Sequence, residues 1–216
     1  PGGPSPEPLL TNNVGLNRFV WDMHYTSLPG IPTAYIEGSY KGHKAMPNEY
    51  TASIKQEDQI AKVIFHILRN PLYEVTEEDY QETHDFKTTT EATLTDMHRR
   101  VRKLKEVQDQ IAQILKELPE EKKYSQVKSE GEALVENLKI WDKDMVQRKS
   151  KAYDDVENFP NKFTAEYIFL IDQNSSDLPK VNQASKDRLI ELDKQWKLLK
   201  SRSEEFINTS IPAYNK

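Results

Sequence analysis

Gly15-Leu-Asn-Arg-Phe-Val-Trp-Asp-Met-His-Tyr25 is the stretch that decides how the chain is read. Phe19, Trp21, Met23 and Tyr25 fall on one side of it, and Arg18, Val20, Asp22 and His24 on the other. A side-chain period of two with bulky apolar residues on one side is the pattern of a half-buried β-strand. Beyond Thr76 the apolar residues recur at spacings of three and four, the helical period. The expected fold class is therefore α+β, with a linker over 1–14, a β unit over 15–76 and a helical unit over 77–216.

Within the β unit, Pro29-Gly30-Ile31-Pro32 marks a turn and Thr33 to Glu37 a short strand. Gly38, Gly42 and Pro47 break the next segment into a loop. Tyr50, Ala52 and Ile54 alternate with polar residues, as do Ala61, Val63, Phe65 and Ile67 with Lys62, Ile64 and His66. The polar turn Gln56-Glu57-Asp58 between them makes a hairpin. Three or four strands with one aromatic face suit a small antiparallel sheet or sandwich.

In Thr76-Glu77-Glu78-Asp79 a capping box opens the first helix, which runs to Leu118 before Pro119. Its stripe is Leu94, Met97, Val101, Leu104, Ile111 and Leu115. A second helix carries Val127, Gly131, Leu134, Leu138, Trp141 and Met145. A shorter one, its start helped by Pro160, presents Phe163, Tyr167, Leu170 and Ile171, and a last one Leu189, Leu192, Trp196, Leu199 and Phe206 before Pro212 ends it. Three long helices and one short one read as an antiparallel, up-down bundle.

Composition narrows the function classes. Charged residues reach 30% and hydrophobic residues 36%, the balance of long amphipathic helices. A net charge of −5 argues against nucleic acid as a partner, since phosphate binding needs a basic face. The absence of cysteine excludes disulfides, thiolate catalysis and cysteine-ligated zinc. No apolar run approaches the ~18–20 residues of a transmembrane helix. Pro1-Gly-Gly-Pro-Ser-Pro-Glu-Pro8 lacks an initiator Met and a signal-peptide pattern, and reads as an extended linker in a chain cut from something longer.

Gly15 to Tyr25, then Met46-Pro-Asn-Glu-Tyr-Thr51, then Asn70-Pro71 and Val75-Thr-Glu-Glu-Asp79, resemble the C-terminal region of bacterial sortilin-like BNR-repeat proteins, often labelled glycosyl hydrolases. The segment from Asn161 through Leu178-Pro179 to Trp196 is similar to the tail of that family. The family tends to have Pro-Gly-Thr-Tyr where this chain has Pro47-Asn48-Glu49-Tyr50, and Asp-Pro where it has Asn70-Pro71. The resemblance implies an immunoglobulin-like β unit, an upstream β-propeller and an extracellular, periplasmic or cell-envelope location. It carries over no catalytic residue. A non-catalytic accessory region docking on the propeller or on another envelope protein is the function it implies. A glycan-binding or hydrolytic protein with its active site in the propeller, and a scaffold bundle in an envelope complex, are the alternatives.

Motifs for nucleotide binding, nucleophilic hydrolysis and helical metal sites are missing, so no catalytic, cofactor or metal residue is assigned. Glu82-Thr-His84-Asp85 comes nearest to a ligand cluster, but its spacing puts the side chains on different helix faces. The five histidines, His24, His43, His66, His84 and His98, are scattered and read as surface or edge residues. Arg99, Arg100, Arg102 and Lys103 flank Val101 and Leu104, to pair with acids of a neighbouring helix or to face an acidic partner. Tyr35 and Tyr40, beside the Gly38–Gly42 loop, are the aromatic candidates for glycan contact; Trp141 and Trp196 sit at packing positions. Asn174-Ser-Ser176 and Asn208-Thr-Ser210 match the glycosylation acceptor pattern, which would mean little in the bacterial protein that the resemblance implies.

Overall fold

Thr76 starts the longest element. Its hydroxyl accepts from the Asp79 amide at 3.1 Å, and the Asp79 carboxylate accepts from the Thr76 amide at 2.9 Å, closing the capping box. In the computed structural model, which describes residues 3–215, helix α1 then runs from Glu77 to Glu117. Pro1 and Gly2 of the linker and Lys216 of the helical unit lie outside the described residues. At 1.5 Å per residue, α1 is about 60 Å long. Helices α2 (Ser125–Met145), α3 (Phe163–Gln173) and α4 (Gln183–Glu205) follow. Asn182 caps α4 by accepting from the Ser185 amide at 2.8 Å. The cap of α3 is Lys162, so Pro160 lies ahead of the helix rather than in its first turn.

Side-chain pairs give the direction of each helix. Glu82 with Lys186, Asp96 with Lys200, and Arg100 with Ser203 and Glu204 keep a constant offset, so α1 and α4 run parallel. Gly131 near the start of α2 lies against Tyr214, beyond the end of α4, while Trp141 Nε1 donates to Leu199 O at 2.9 Å, so α2 runs against α4. Tyr167 donates to Asp193 at 2.7 Å and Asn174 to Ser185 at 3.1 Å, so α3 also runs against α4. Thr164 reaches back to Met145 O at 3.0 Å, joining the start of α3 to the end of α2. The helices thus form three columns, α1, α4, and α2 continued by α3. The expected up-down order is corrected: α3 does not reverse, because Val146–Lys162 returns the chain to the line of α2 instead of turning it back.

Pro212 does not end the last helix. A π-helical turn, Phe206–Ser210, leads into a final turn α5 (Ile211–Tyr214) that contains it. The wider turn accommodates a residue that lacks an N–H and crowds the preceding carbonyls.

The groove between the columns is filled by an extended arm. Tyr25 donates to His43 O at 3.0 Å, Leu28 to Tyr40 O at 2.6 Å and Ala45 to Met23 O at 2.7 Å, an irregular antiparallel pairing around the loop 29–39. Leu28, Ile31, Ala34, Ile36 and Tyr40 from this arm are buried in one cluster with Leu94, Met97, Trp141, Tyr167 and Leu192. Arg148 fastens the loop, binding Asp142 through Nε and Nη2 at 2.5 and 2.6 Å while Nη1 reaches Pro32 O and Thr33 Oγ1 at 3.4 Å. Residues 15–76 therefore have no separate core.

Strands at 15–25 and 33–37 do not form. Met23 sits at φ 60°, in the left-handed region, and turns the chain between Trp21 and His24. Phe19, Met23 and Tyr25 are exposed as a result, and of the four only Trp21 is half-buried. The sheet among the described residues has two strands, β1 (Asn48–Gln56) and β2 (Gln59–Ile67), paired from Asn48↔Ile67 to Gln56↔Gln59.

Gly38 is where the arm lies closest to α3. Its φ is +147°, and an added Cβ would stand 2.1 Å from Ile168 Cγ2 and 2.8 Å from an Asp172 carboxylate oxygen. Gly38→Ala is expected to cost more than about 2 kcal/mol, since a strained backbone and an overpacked contact add. Denaturant unfolding measures it. A loss below about 0.5 kcal/mol would show that the arm is free to shift away from α3.

Candidate functional site

The arm, the end of β2, the first turns of α1 and the end of α3 line a half-open cavity of about 350 Å³. Its organising feature is a file of three side chains. Both Glu91 carboxylate oxygens are used: Oε1 accepts from the His43 backbone N–H, and Oε2 from the His43 ring at Nδ1, each at 2.8 Å. His43 Nε2 meets His84 Nδ1 at 3.0 Å. Glu91 is the acceptor, so in the neutral tautomer His43 carries its proton on Nδ1 and offers a lone pair at Nε2. His84 must then donate through Nδ1, which leaves its own Nε2 as the free, proton-accepting end of the file. Tyr25 packs over both imidazoles, with ring centroids 4.6 Å from His43 and 5.8 Å from His84.

Burial, and next the neighbouring His43, push the His84 imidazole below its ordinary value, so it is neutral at pH 7. Burial also lowers the Lys87 ammonium, against the opposing pull of Glu91 and Asp177. Lys44 does not share that position, being paired with Asp177 at 2.8 Å, while Lys41 is paired with Asp22 at 3.0 Å. Asp172 is raised by burial, partly offset by the Ser39 amide it accepts at 3.1 Å. Tyr50, whose hydroxyl donates to Met46 O at 2.8 Å, is pushed up to about 12, chiefly by burial. A neutral imidazole at the end of a carboxylate-anchored file can take a proton or accept a hydrogen bond.

The chain matches no family model, no curated protein and no solved structure. The site is therefore read from its own chemistry.

The histidines expected at the surface divide. His43 and His98 are buried, His84 lines the cavity, and His66 is exposed beside Glu49. Tyr40 is a core residue whose hydroxyl donates to Ile36 O at 3.3 Å, so it is corrected as a glycan contact; its aromatic ring seals the arm against α1 beside His98. Tyr35 is half-buried at the edge of the loop 29–39, away from the cavity. Arg100 is taken up by Asp96, Ser203 and Glu204. Arg99, Arg102 and Lys103 are exposed and make no ion pair among the described residues. None of these four lines the cavity. The described residues contain no group of three His, Asp or Glu side chains placed to hold a metal ion, and no helix long and apolar enough to cross a membrane.

His43, His84 and Glu91 were missed as a set because His43 is brought to α1 by the arm, 48 residues away from Glu91 in sequence. One signal was present. Thr83, Thr90, Glu91 and His98 occupy positions at core spacing in the α1 stripe, where polar side chains require a partner.

Proposed function

We propose that the chain is a non-catalytic accessory region of a larger exported, sortilin-like β-propeller protein, acting at the cell envelope or outside the cell, and that hairpin β1–β2 is its docking element. The supporting observation is the half-covered face of that hairpin. In the register, Tyr50 opposes Phe65, Ala52 opposes Val63 and Ile54 opposes Ala61, so all six share a face. At the base Trp21 covers it, with ring centroids 5.8 Å from Tyr50 and 6.2 Å from Phe65. Towards the tip nothing does: Ile54 is 59% exposed and Val63 61%.

An isolated two-stranded hairpin is marginally stable in water, and its open edges and apolar face invite pairing. Completing the burial of Ile54 and Val63 contributes about 2–3 kcal/mol, enough to favour a docked state. A neighbouring sheet of the same parent protein supplies the matching surface, and completes the small immunoglobulin-like unit of which this hairpin is a part.

The test joins the chain to the segment encoded upstream of it and compares hydrogen exchange with the chain alone. Amides from Ala52 to Val63 are expected to exchange more slowly in the joined protein. In an Ile54→Lys/Val63→Lys variant that difference is lost while helix melting is unchanged. Equal exchange in both proteins would sink the docking role, and an upstream segment without propeller repeats would sink the parentage.

A further inference from the structure

Three polar groups that line the cavity at the foot of α1 lack partners among the described residues. The Thr83 hydroxyl belongs to a side chain only 7% exposed and has no hydrogen bond. A buried hydroxyl left in this state is unfavourable, and a water, ion or ligand that pairs with it would relieve the cost. Lys87 lies one helical turn further on, on the same face of α1; its ammonium feels Glu91 and Asp177 but makes no hydrogen bond or ion pair with them. His84, between them, has Nδ1 committed to His43, which leaves Nε2 with a lone pair to offer. One cation, one hydroxyl and one neutral acceptor thus line a half-open cleft of about 350 Å³, within the size range of small-molecule sites.

We propose that this cavity binds a small carboxylate bearing a neighbouring hydroxyl group. The carboxylate sits against the Lys87 ammonium, a rotation of the Thr83 side chain, whose hydroxyl is shut off from the cavity in this structure, brings it a second donor, and the ligand's hydroxyl donates to His84 Nε2. Glu91 and His43 are positioning residues: they fix the tautomer that turns His84 into an acceptor.

Charge selects a monoanion. Lys41 and Lys44 are neutralised by Asp22 and Asp177, and Glu91, Asp172 and Asp177 line the same cavity. Lys87 is the single uncommitted cation there, and a phosphate dianion would face these carboxylates with only that one charge to hold it.

Lactate, acetate and inorganic phosphate are the probes, titrated at pH 7 while the imidazole resonances of His84 and His43 are followed by NMR. Lactate is expected to shift the His84 ring saturably, and acetate, without the hydroxyl, to bind about tenfold more weakly. Lys87→Gln is expected to weaken lactate about tenfold or more through loss of a charge-assisted bond. Thr83→Val keeps the shape of the side chain and is expected to weaken it about threefold to tenfold. His43→Gln breaks the tautomer relay and is expected to abolish the preference of lactate over acetate while leaving acetate binding unchanged, a split that a structural role alone would not produce. Circular dichroism checks that each variant is folded. No saturable shift with lactate, phosphate binding tighter than lactate, or a folded Lys87→Gln variant that binds lactate normally would each overturn the proposal.

Discussion

Between pH 6.5 and pH 4 the protein is expected to lose about 3 kcal/mol of stability through His98 alone. His98 is 1% exposed on the inner face of α1. Nδ1 lies 2.6 Å from Pro29 O and donates to it, while Nε2 is buried with no partner. Protonation would place a second N–H there with nothing to receive it, so burial pushes the imidazole down to about 4, against a smaller upward pull from the Pro29 carbonyl. The sign follows from proton uptake. Below about 6.5 the unfolded chain protonates this residue and the folded one does not, so each further pH unit favours unfolding by about 1.4 kcal/mol until the folded form protonates as well near pH 4. Denaturant unfolding of the native protein and of His98→Gln across this range isolates the effect, since other groups titrate in both. The stability difference between the two proteins should fall by about 3 kcal/mol from pH 7 to pH 4. A constant difference would show that His98 protonates freely in the folded state.

Trp141→Ala is expected to cost about 4–5 kcal/mol, a large part of the 5–15 kcal/mol by which a domain is stable. Trp141 is fully buried in α2, and its indole N–H donates across to Leu199 O of α4. It fills the space where α2 packs on α4, just before α3 takes over the column. Deleting it leaves a cavity that two helices, pinned by the Arg202–Asp144 pair, are poorly placed to close. Trp141→Phe retains most of the packing and loses the hydrogen bond, so about 1–2 kcal/mol is expected. Thermal and urea unfolding followed by circular dichroism measure both. Near-equal losses for the two variants would show that the hydrogen bond, not the packing, holds α2 to α4.

The helices were legible because their signals are local. The Thr76–Asp79 box, the Leu94–Ile111 stripe and Trp141 lie where sequence spacing places them. The hairpin was legible for the same reason, since Tyr50–Ile54 and Ala61–Ile67 alternate around a short polar turn. The arm was not. An extended segment laid on helices alternates much as a strand in a sheet does, and nothing in Phe19-Val-Trp-Asp-Met23 announces a positive φ at Met23. Ile31, Ala34 and Ile36 sit among proline and glycine, so they read as loop or edge although they complete the core. The direction of α3 was equally hidden, because it is set by how Val146–Lys162 folds back and not by any periodicity within α3. The candidate site joins the arm to α1, so it could not be assembled until the arm was placed.

The contact of Ser39 with Asp172 spans 133 residues. During synthesis the arm emerges well before α3, the helix that Gly38 and Ser39 must lie against. At 5–20 residues per second that gap is about 7–27 s. Pro29 and Tyr40 can meet His98 of α1 well before then, but Gly38 and Ser39 have no partner until Ile168 and Asp172 of α3 are made. Each newly made chain therefore passes through an interval in which one side of the arm is open to chaperones or to other nascent chains, and that side closes only when α3 has left the ribosome.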